Sequence, residues 1–169
     1  MRRLSFWVLA TAMSVLVLAI MLVPVQMVVV SHQGTPWLAF HAGEGSTFQV
    51  RWTHSVEKEP WEETFRVEGR SLYVISTRFK TFGAGVPAQA GDHTTLEDGW
   101  VVMRGLHRRV DPLYIQAAPR EHYLFQQAGD TWSLDVSGRD AVIHIQTVNA
   151  PPGHYLAALL RPLWSLESS

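Results

Sequence analysis

Hydrophobic residues fall into two patterns along this chain, first an unbroken run and then an alternation. Residues 6–30 contain no Asp, Glu, Lys or Arg. At about 1.5 Å per residue, a helix of that length exceeds the roughly 30 Å hydrocarbon core of a bilayer. Pro24 is tolerated within membrane helices, and Gln26 would lie near the outer end, where polarity costs less. Arg2 and Arg3 precede the run, and the next Lys or Arg is Arg51. The positive-inside rule therefore keeps the N-terminus in the cytoplasm and exports the remainder. A cleaved signal peptide is the competing reading. Val29 and Ser31 suit a small-residue cleavage site, although the apolar region of a signal peptide usually runs only about 7–15 residues. The expectation is a single-pass protein of the cytoplasmic membrane, with residues 1–33 as signal anchor, 34–150 as an extracytoplasmic (periplasmic) domain and 151–169 as a short C-terminal tail.

Beyond the anchor the apolar period is close to two. Residues 37–41, 47–56, 61–68, 72–79, 100–103, 122–126, 131–136 and 141–147 read as strands. Glycine-bearing turns such as Glu68-Gly69-Arg70 and Ser137-Gly138-Arg139-Asp140 separate them. Many short strands with frequent turns predict an all-β fold, an antiparallel β-sandwich or open barrel carried on an N-terminal transmembrane helix. Residues 88–99 show no period and read as a long surface loop. Residues 106–119 are ambiguous, Pro112 and Pro119 opposing a long helix. Residues 154–160 allow one or two helical turns before Pro162. With Trp164 close by, that segment either rests on the outer membrane surface or packs on the sheet.

The strongest local pattern is a hairpin. Phe48, Val50, Trp52, His54 and Val56 share one strand face; Trp61, Glu63, Phe65 and Val67 share the face of the next. A four-residue loop, Glu57-Lys58-Glu59-Pro60, would join them with Val56 opposite Trp61. That register sets Trp52 against Phe65 and His54 against Glu63, within reach of an imidazole–carboxylate bond on the inner face. In the third strand, Leu72, Val74, Ser76 and Arg78 alternate with Tyr73, Ile75, Thr77 and Phe79, and either set can face inward. If the first does, Arg78 joins the polar pair and offsets the buried carboxylate.

Composition removes several chemistries. The absence of cysteine excludes thiol nucleophiles, thiolate zinc sites and iron–sulfur clusters. Without Arg2 and Arg3 the 14 basic residues fall to 12 against 15 acidic, near −3, with no basic stripe for nucleic acid. His54 among Glu57, Glu59, Glu62 and Glu63 suggests a divalent metal, but Glu62 points away from Glu63 and helical HExxH spacing is missing. Ser55 and His54 are adjacent on a strand and so face opposite ways, which defeats nucleophilic pairing. No catalytic residue, metal or cofactor is therefore assigned. The His54–Glu63 pair reads first as scaffold. Downstream, Arg78 and Lys80 lead into Gly83-Ala84-Gly85-Val86-Pro87, where glycines allow close backbone approach and free N–H groups would favour an anion or a carboxylate.

His54-Ser55-Val56-Glu57-Lys58-x-Pro60, the pair Glu62-Glu63 and Phe82-Gly83-Ala84-Gly85-Val86-Pro87 together resemble an uncharacterised family of small exported prokaryotic proteins, the domain of unknown function 1850. The resemblance spans about residues 40–147; position 59 is Glu where a small or hydroxyl residue is expected. Genes of that family typically lie beside those of TRAP-type solute transporters, particularly the TAXI subtype. The resemblance implies an accessory role beside a carboxylate-importing membrane complex. Its docking surface would combine the turn residues Glu57, Lys58 and Pro60 with the loop residues Arg78, Lys80, Gly83, Gly85 and Pro87. The expected function is a non-enzymatic, membrane-anchored accessory protein acting on transporter membrane subunits by protein–protein contact. A small-ligand (carboxylate) or cation-binding β-module is the alternative, and a metal-dependent hydrolase the third.

Overall fold

The computed structural model describes residues 2–82, 90–135 and 138–165, with side chains described between residues 6 and 161 of these stretches. Two antiparallel sheets, neither closed, make up the domain in a sandwich-like arrangement. A helix, α1 (Arg2–Leu22), leads into β1 (Val25–His32) and β2 (Thr35–His41). The hairpin series β3 (Thr47–Thr53), β4 (Pro60–Glu68) and β5 (Ser71–Phe79) follows, then β6 (His93–Glu97) and β7 (Trp100–Arg109). After β8 (Leu113–Ala117) come the short hairpin β9 (Leu124–Gln127) and β10 (Asp130–Ser133), and β11 (Ala141–Ala150). The last element is α2 (Leu156–Ser165). The small sheet runs β2-β1-β11-β8 and the large one β10-β9-β3-β4-β5-β7-β6.

The apolar run of the N-terminus divides. Its helix ends at Leu22, before Pro24, and residues 25–32 form a strand paired on both sides, with β11 and β2. The expected anchor boundary at residue 33 is therefore corrected: Val25–His32 belongs to the β-domain. The reason is double burial. Val28 and Val30 enter the core between the sheets, while Met27 and Val29 pack with Ala39 and Ala158 beneath α2. A strand buried on both faces shows no alternation and cannot be told from a helical run by period alone. The side chains of α1 stay outside this packing. Phe6, Trp7, Val8 and Leu9 are 62–70% exposed on successive sides of the helix, and Leu18 and Leu22 are equally open. No helix among the described residues is long and apolar enough to cross a membrane.

The core joins Val30, Leu38, Ile143 and Ile145 of the small sheet to Phe48, Val50, Phe65, Val74 and Phe125 of the large one. Phe48 stacks on Phe65 at 5.1 Å and on Phe125 at 4.9 Å. Of the two placements open to the C-terminal segment, α2 takes packing on the sheet. Ala158 is buried and Arg161 lies over the Trp37 ring at 5.5 Å. Residues 93–97, expected within a loop, form the edge strand β6. Every one of them is exposed, so no apolar alternation marked it.

Two irregularities shape the region between the sheets. Between Thr64 and Phe65 the β4–β5 ladder shifts, so Leu72 and Val74 face inward before it and Thr77 and Phe79 after it. Both alternate sets of the third strand thus contribute to the core. Opposite the same point, β7 bulges between Arg104 and Arg108, with Gly105 at φ +75°. Gly91 lies against this bulge at φ +71°, and Asp92 donates its N–H to the Arg104 carbonyl at 2.9 Å. A Cβ on Gly91 would sit 2.3 Å from that carbonyl oxygen. Gly91→Ala is accordingly expected to lose about 2–3 kcal/mol, the sum of left-handed strain and a broken ladder bond. Chemical denaturation checks this, and a loss below about 0.5 kcal/mol would show the close approach to be inconsequential.

Candidate functional site

The hairpin carries the family-like motif, but in a different register from the one expected. Phe48 faces Phe65, Val50 faces Glu63 and Trp52 faces Trp61. His54 lies past the strand end, so the His54–Glu63 pair does not form. Within Thr47–Thr53 and Pro60–Glu68 the inward and outward faces are as read, but His54 and Val56, read as inner-face strand residues, lie in the turn, and Val56 is 62% exposed. The observed register matches aromatic with aromatic, and Trp52 stacks on Trp61 at 5.3 Å.

His54 organises the turn instead. Its N–H donates to the Glu59 carbonyl at 2.8 Å, its carbonyl accepts from the Lys58 N–H at 3.0 Å, and its Nδ1 accepts from Val56 and Glu57 N–H groups at 3.4 and 3.2 Å. Nδ1 as acceptor requires the ring proton on Nε2. Lys58 takes a left-handed conformation (φ +57°) and its Nζ donates to the Ser55 carbonyl. The imidazole rests on Trp61 at 5.5 Å, and Tyr123 stacks on the far side of Trp52 at 5.6 Å. His54, Trp61, Trp52 and Tyr123 therefore form one continuous stack of four rings, and Trp61 Nε1 is tied to Thr77 Oγ1 at 2.7 Å.

Glu63 stands beside this stack on the inner face of β4, opposite Val50 on one side and Thr77 on the other. It is half-buried and has no hydrogen-bond or ion-pair partner among the described residues. Burial pushes its carboxyl above the usual range, with the Arg108 charge partly opposing the shift. Two cavities share Trp52 and Glu63. One, of about 710 Å³, is bounded by the β7 bulge with Leu106, His107 and Arg108. The other, of about 230 Å³, reaches Tyr114 and Tyr123. Burial, with Glu121 and Glu63 adding to it, raises the Tyr123 hydroxyl to about 12. The polar groups at a shallower hollow of about 340 Å³ near Thr47, Gln126 and Thr131 are amides, hydroxyls and the Asp130 carboxylate.

The raised carboxyl has a definite consequence for stability. Below the ordinary carboxyl value Glu63 is protonated whether the chain is folded or unfolded, and nothing is lost. As pH rises through the folded value, the unfolded chain ionises more readily and stability falls. Glu63→Gln removes that loss, so its advantage over the unaltered protein is expected to be absent near pH 4 and to grow towards pH 7. Denaturation midpoints across that range test it; a difference independent of pH would rule out Glu63 as the source.

On the opposite face of the large sheet the charges are engaged differently. Glu62, 4% exposed, receives Arg78 at 2.6 Å through Nε and at 2.5 Å through Nη2, with Arg51 Nε at 3.6 Å. Arg78 thus compensates Glu62 and not Glu63, because the β4–β5 shift turns Arg78 outward. Its guanidinium and the Lys80 ammonium lie over one indole, Trp100, at 4.7 and 4.5 Å. Further along, Arg104 holds Glu97 through two bonds of 2.6 and 2.8 Å; that and Thr95 bring the carboxyl down to about 2. Lys80 pairs with no carboxylate among the described residues.

The turn and the basic pair share one edge, where His54, Glu57, Glu59 and Pro60 flank a narrow gap with Phe79 and Lys80. Gly83, Gly85 and Pro87 lie outside the described residues. Among the described residues no group of three or more His, Asp or Glu is placed to hold a metal. Arg108, Trp52 and Tyr123 were not singled out from the sequence. Gly105, between the strand read at residues 100–103 and the ambiguous residues 106–119, is a local signal that could have indicated the bulge bringing Arg108 to the cavity.

A family model described as a domain of unknown function (DUF1850) matches residues 48–134. That segment supplies essentially the whole large sheet, from β3 to β10, together with β8 of the small one. No curated protein and no solved structure matches the chain.

Proposed function

The chain belongs to the DUF1850 family, and from that premise we propose that it is a non-enzymatic extracytoplasmic accessory module, held at the cytoplasmic membrane by α1, that serves a TRAP-type solute transporter by protein–protein contact. The observation that carries the reading is the edge where Arg78 and Lys80 share the Trp100 ring beside the His54–Pro60 turn. An aromatic ring flanked by cations, with Lys80 lacking an acidic partner among the described residues, has the composition of a protein contact surface rich in Trp and Arg. The family match contains all of these residues. Support for the anchor comes from α1. Residues 6–22 carry no charge and are mostly exposed, and Arg2 and Arg3 precede them. Fifteen of these seventeen residues are apolar, Thr11 and Ser14 being the exceptions, and lipid is the surrounding that removes such a surface from water.

Affinity purification of the tagged full chain from native membranes in mild detergent tests the role. Transporter membrane subunits are expected to co-purify, and Lys80→Glu combined with Trp100→Ala to reduce their recovery about tenfold, a change of about 1.4 kcal/mol. Recovery of no transporter subunit, or equal recovery with the double variant, would remove the reading. Alkaline carbonate extraction tests the anchor separately, since only an inserted helix keeps the chain with the membrane pellet.

A second reading, a small-ligand module, is favoured by the cavity that holds Glu63 and Arg108 beside the ring stack. Its size falls within the range of about 300–1,000 Å³ typical of ligand pockets.

A further inference from the structure

The larger cavity, lined by β3, β4, β5 and β7 of the large sheet and by Ala90 and Gly91, contains two opposite charges that do not satisfy each other. Glu63 and Arg108 both line it, yet they close no ion pair, and neither has a hydrogen-bond or ion-pair partner for its charged group among the described residues. Two other polar groups of the wall are occupied: Thr77 Oγ1 accepts from Trp61 and donates to the Glu62 carbonyl, and His107 meets Glu68 at 2.7 Å. The indole N–H of Trp52 donates to no described residue. Trp52, Trp61 and Leu106 add apolar surface to the same wall.

Each charge discriminates against a singly charged ligand. An ammonium drawn to Glu63 meets repulsion from Arg108, and a carboxylate drawn to Arg108 meets repulsion from Glu63. A neutral apolar molecule would leave a half-buried carboxyl without a donor. A molecule carrying both charges answers both groups at once, and an apolar body between them covers the ring edges. The ring faces of Trp52 and Trp61 are already taken by the stack, so the ligand meets edges, which carry the positive part of the aromatic quadrupole and suit a carboxylate.

We propose that this cavity is a binding site for a small zwitterion with an apolar body, of amino-acid or dipeptide size, with its ammonium on Glu63 and its carboxylate on Arg108. The site goes beyond the transporter contact and lies on the other face of the large sheet.

The test uses the full-length protein in detergent and calorimetric titration with L-phenylalanine, L-tryptophan and Gly-Phe, alongside the single-charge analogues phenethylamine and 3-phenylpropionate. At least one zwitterion is expected to bind about tenfold or more tightly than its matched analogues. Glu63→Gln is expected to abolish the advantage over 3-phenylpropionate, and Arg108→Gln the advantage over phenethylamine. Glu63→Gln preserves side-chain size, Arg108→Gln shortens an exposed side chain, and circular dichroism verifies the fold of both. Absence of binding by all three zwitterions at millimolar concentration overturns the proposal. So does a ranking that survives both substitutions. Neither variant is expected to change transporter co-purification, so loss of ligand binding and loss of partner contact are read separately.

Discussion

Replacing Trp61 with alanine is expected to destabilise the domain by about 3–5 kcal/mol, the range for removing a buried aromatic side chain. Trp61 is 8% exposed, occupies the middle of the ring stack between Trp52 and His54, and also touches Phe79 at 5.4 Å. Its loss removes apolar area, leaves a cavity beside an existing one, and withdraws the platform on which the His54 turn rests. In a domain of this size the thermal midpoint should fall by roughly 10–20 °C. Trp61→Phe keeps a ring in the stack and loses the indole bond to Thr77, so its cost should be nearer 1 kcal/mol. Thermal and urea unfolding of both variants decide the matter. If Trp61→Ala costs less than about 1 kcal/mol, the stack does not hold the hairpin and the turn is ordered by its backbone bonds alone.

Arg78→Ala is expected to have the next largest effect, about 2–3 kcal/mol, because it leaves the Glu62 carboxylate buried with Arg51 as its remaining, longer contact. The figure lies below that for a fully buried pair, since the Arg78 side chain is 45% exposed and water can reach the vacated position. The cause can be isolated by a double-mutant cycle. With Glu62→Gln in the background there is no charge to strand, and Arg78→Ala should then cost at least about 1 kcal/mol less. Equal costs in the two backgrounds would place the effect on the Trp100 contact instead. The same substitution removes one of the two cations on the proposed contact edge. Lys80→Glu, which touches no buried carboxylate, is therefore the cleaner probe of partner binding.

How much of this was legible beforehand depends on whether a feature is local. The alternation in residues 47–56, 61–68 and 72–79 identified three neighbouring antiparallel strands and assigned Glu63 to the inner face and Glu62 to the outer one. Register was beyond that reading. Setting Trp52 against Phe65 or against Trp61 keeps every apolar residue on the same side, because the two arrangements differ by an even number of residues. The choice came from stacking of like rings and from a turn in which His54 serves as backbone partner and not as strand residue. The phase of Ser71–Phe79 was undecidable for a different reason: the strand changes phase at the ladder shift and uses both sets.

By itself the sequence determined what depends on one segment at a time: an uncharged apolar stretch near the N-terminus, period-two strands, turn positions, the inward and outward faces of the hairpin, and the motif that marks the family. Tertiary structure alone decided that residues 25–32 are a doubly buried strand, that Arg78 serves Glu62, and that Arg108 comes to the same cavity as Glu63. The physical reason is that periodicity reports which side of a strand meets the core. What lies opposite depends on pairing energies between residues far apart in the chain, and those differ by only a few tenths to about one kcal/mol per pair.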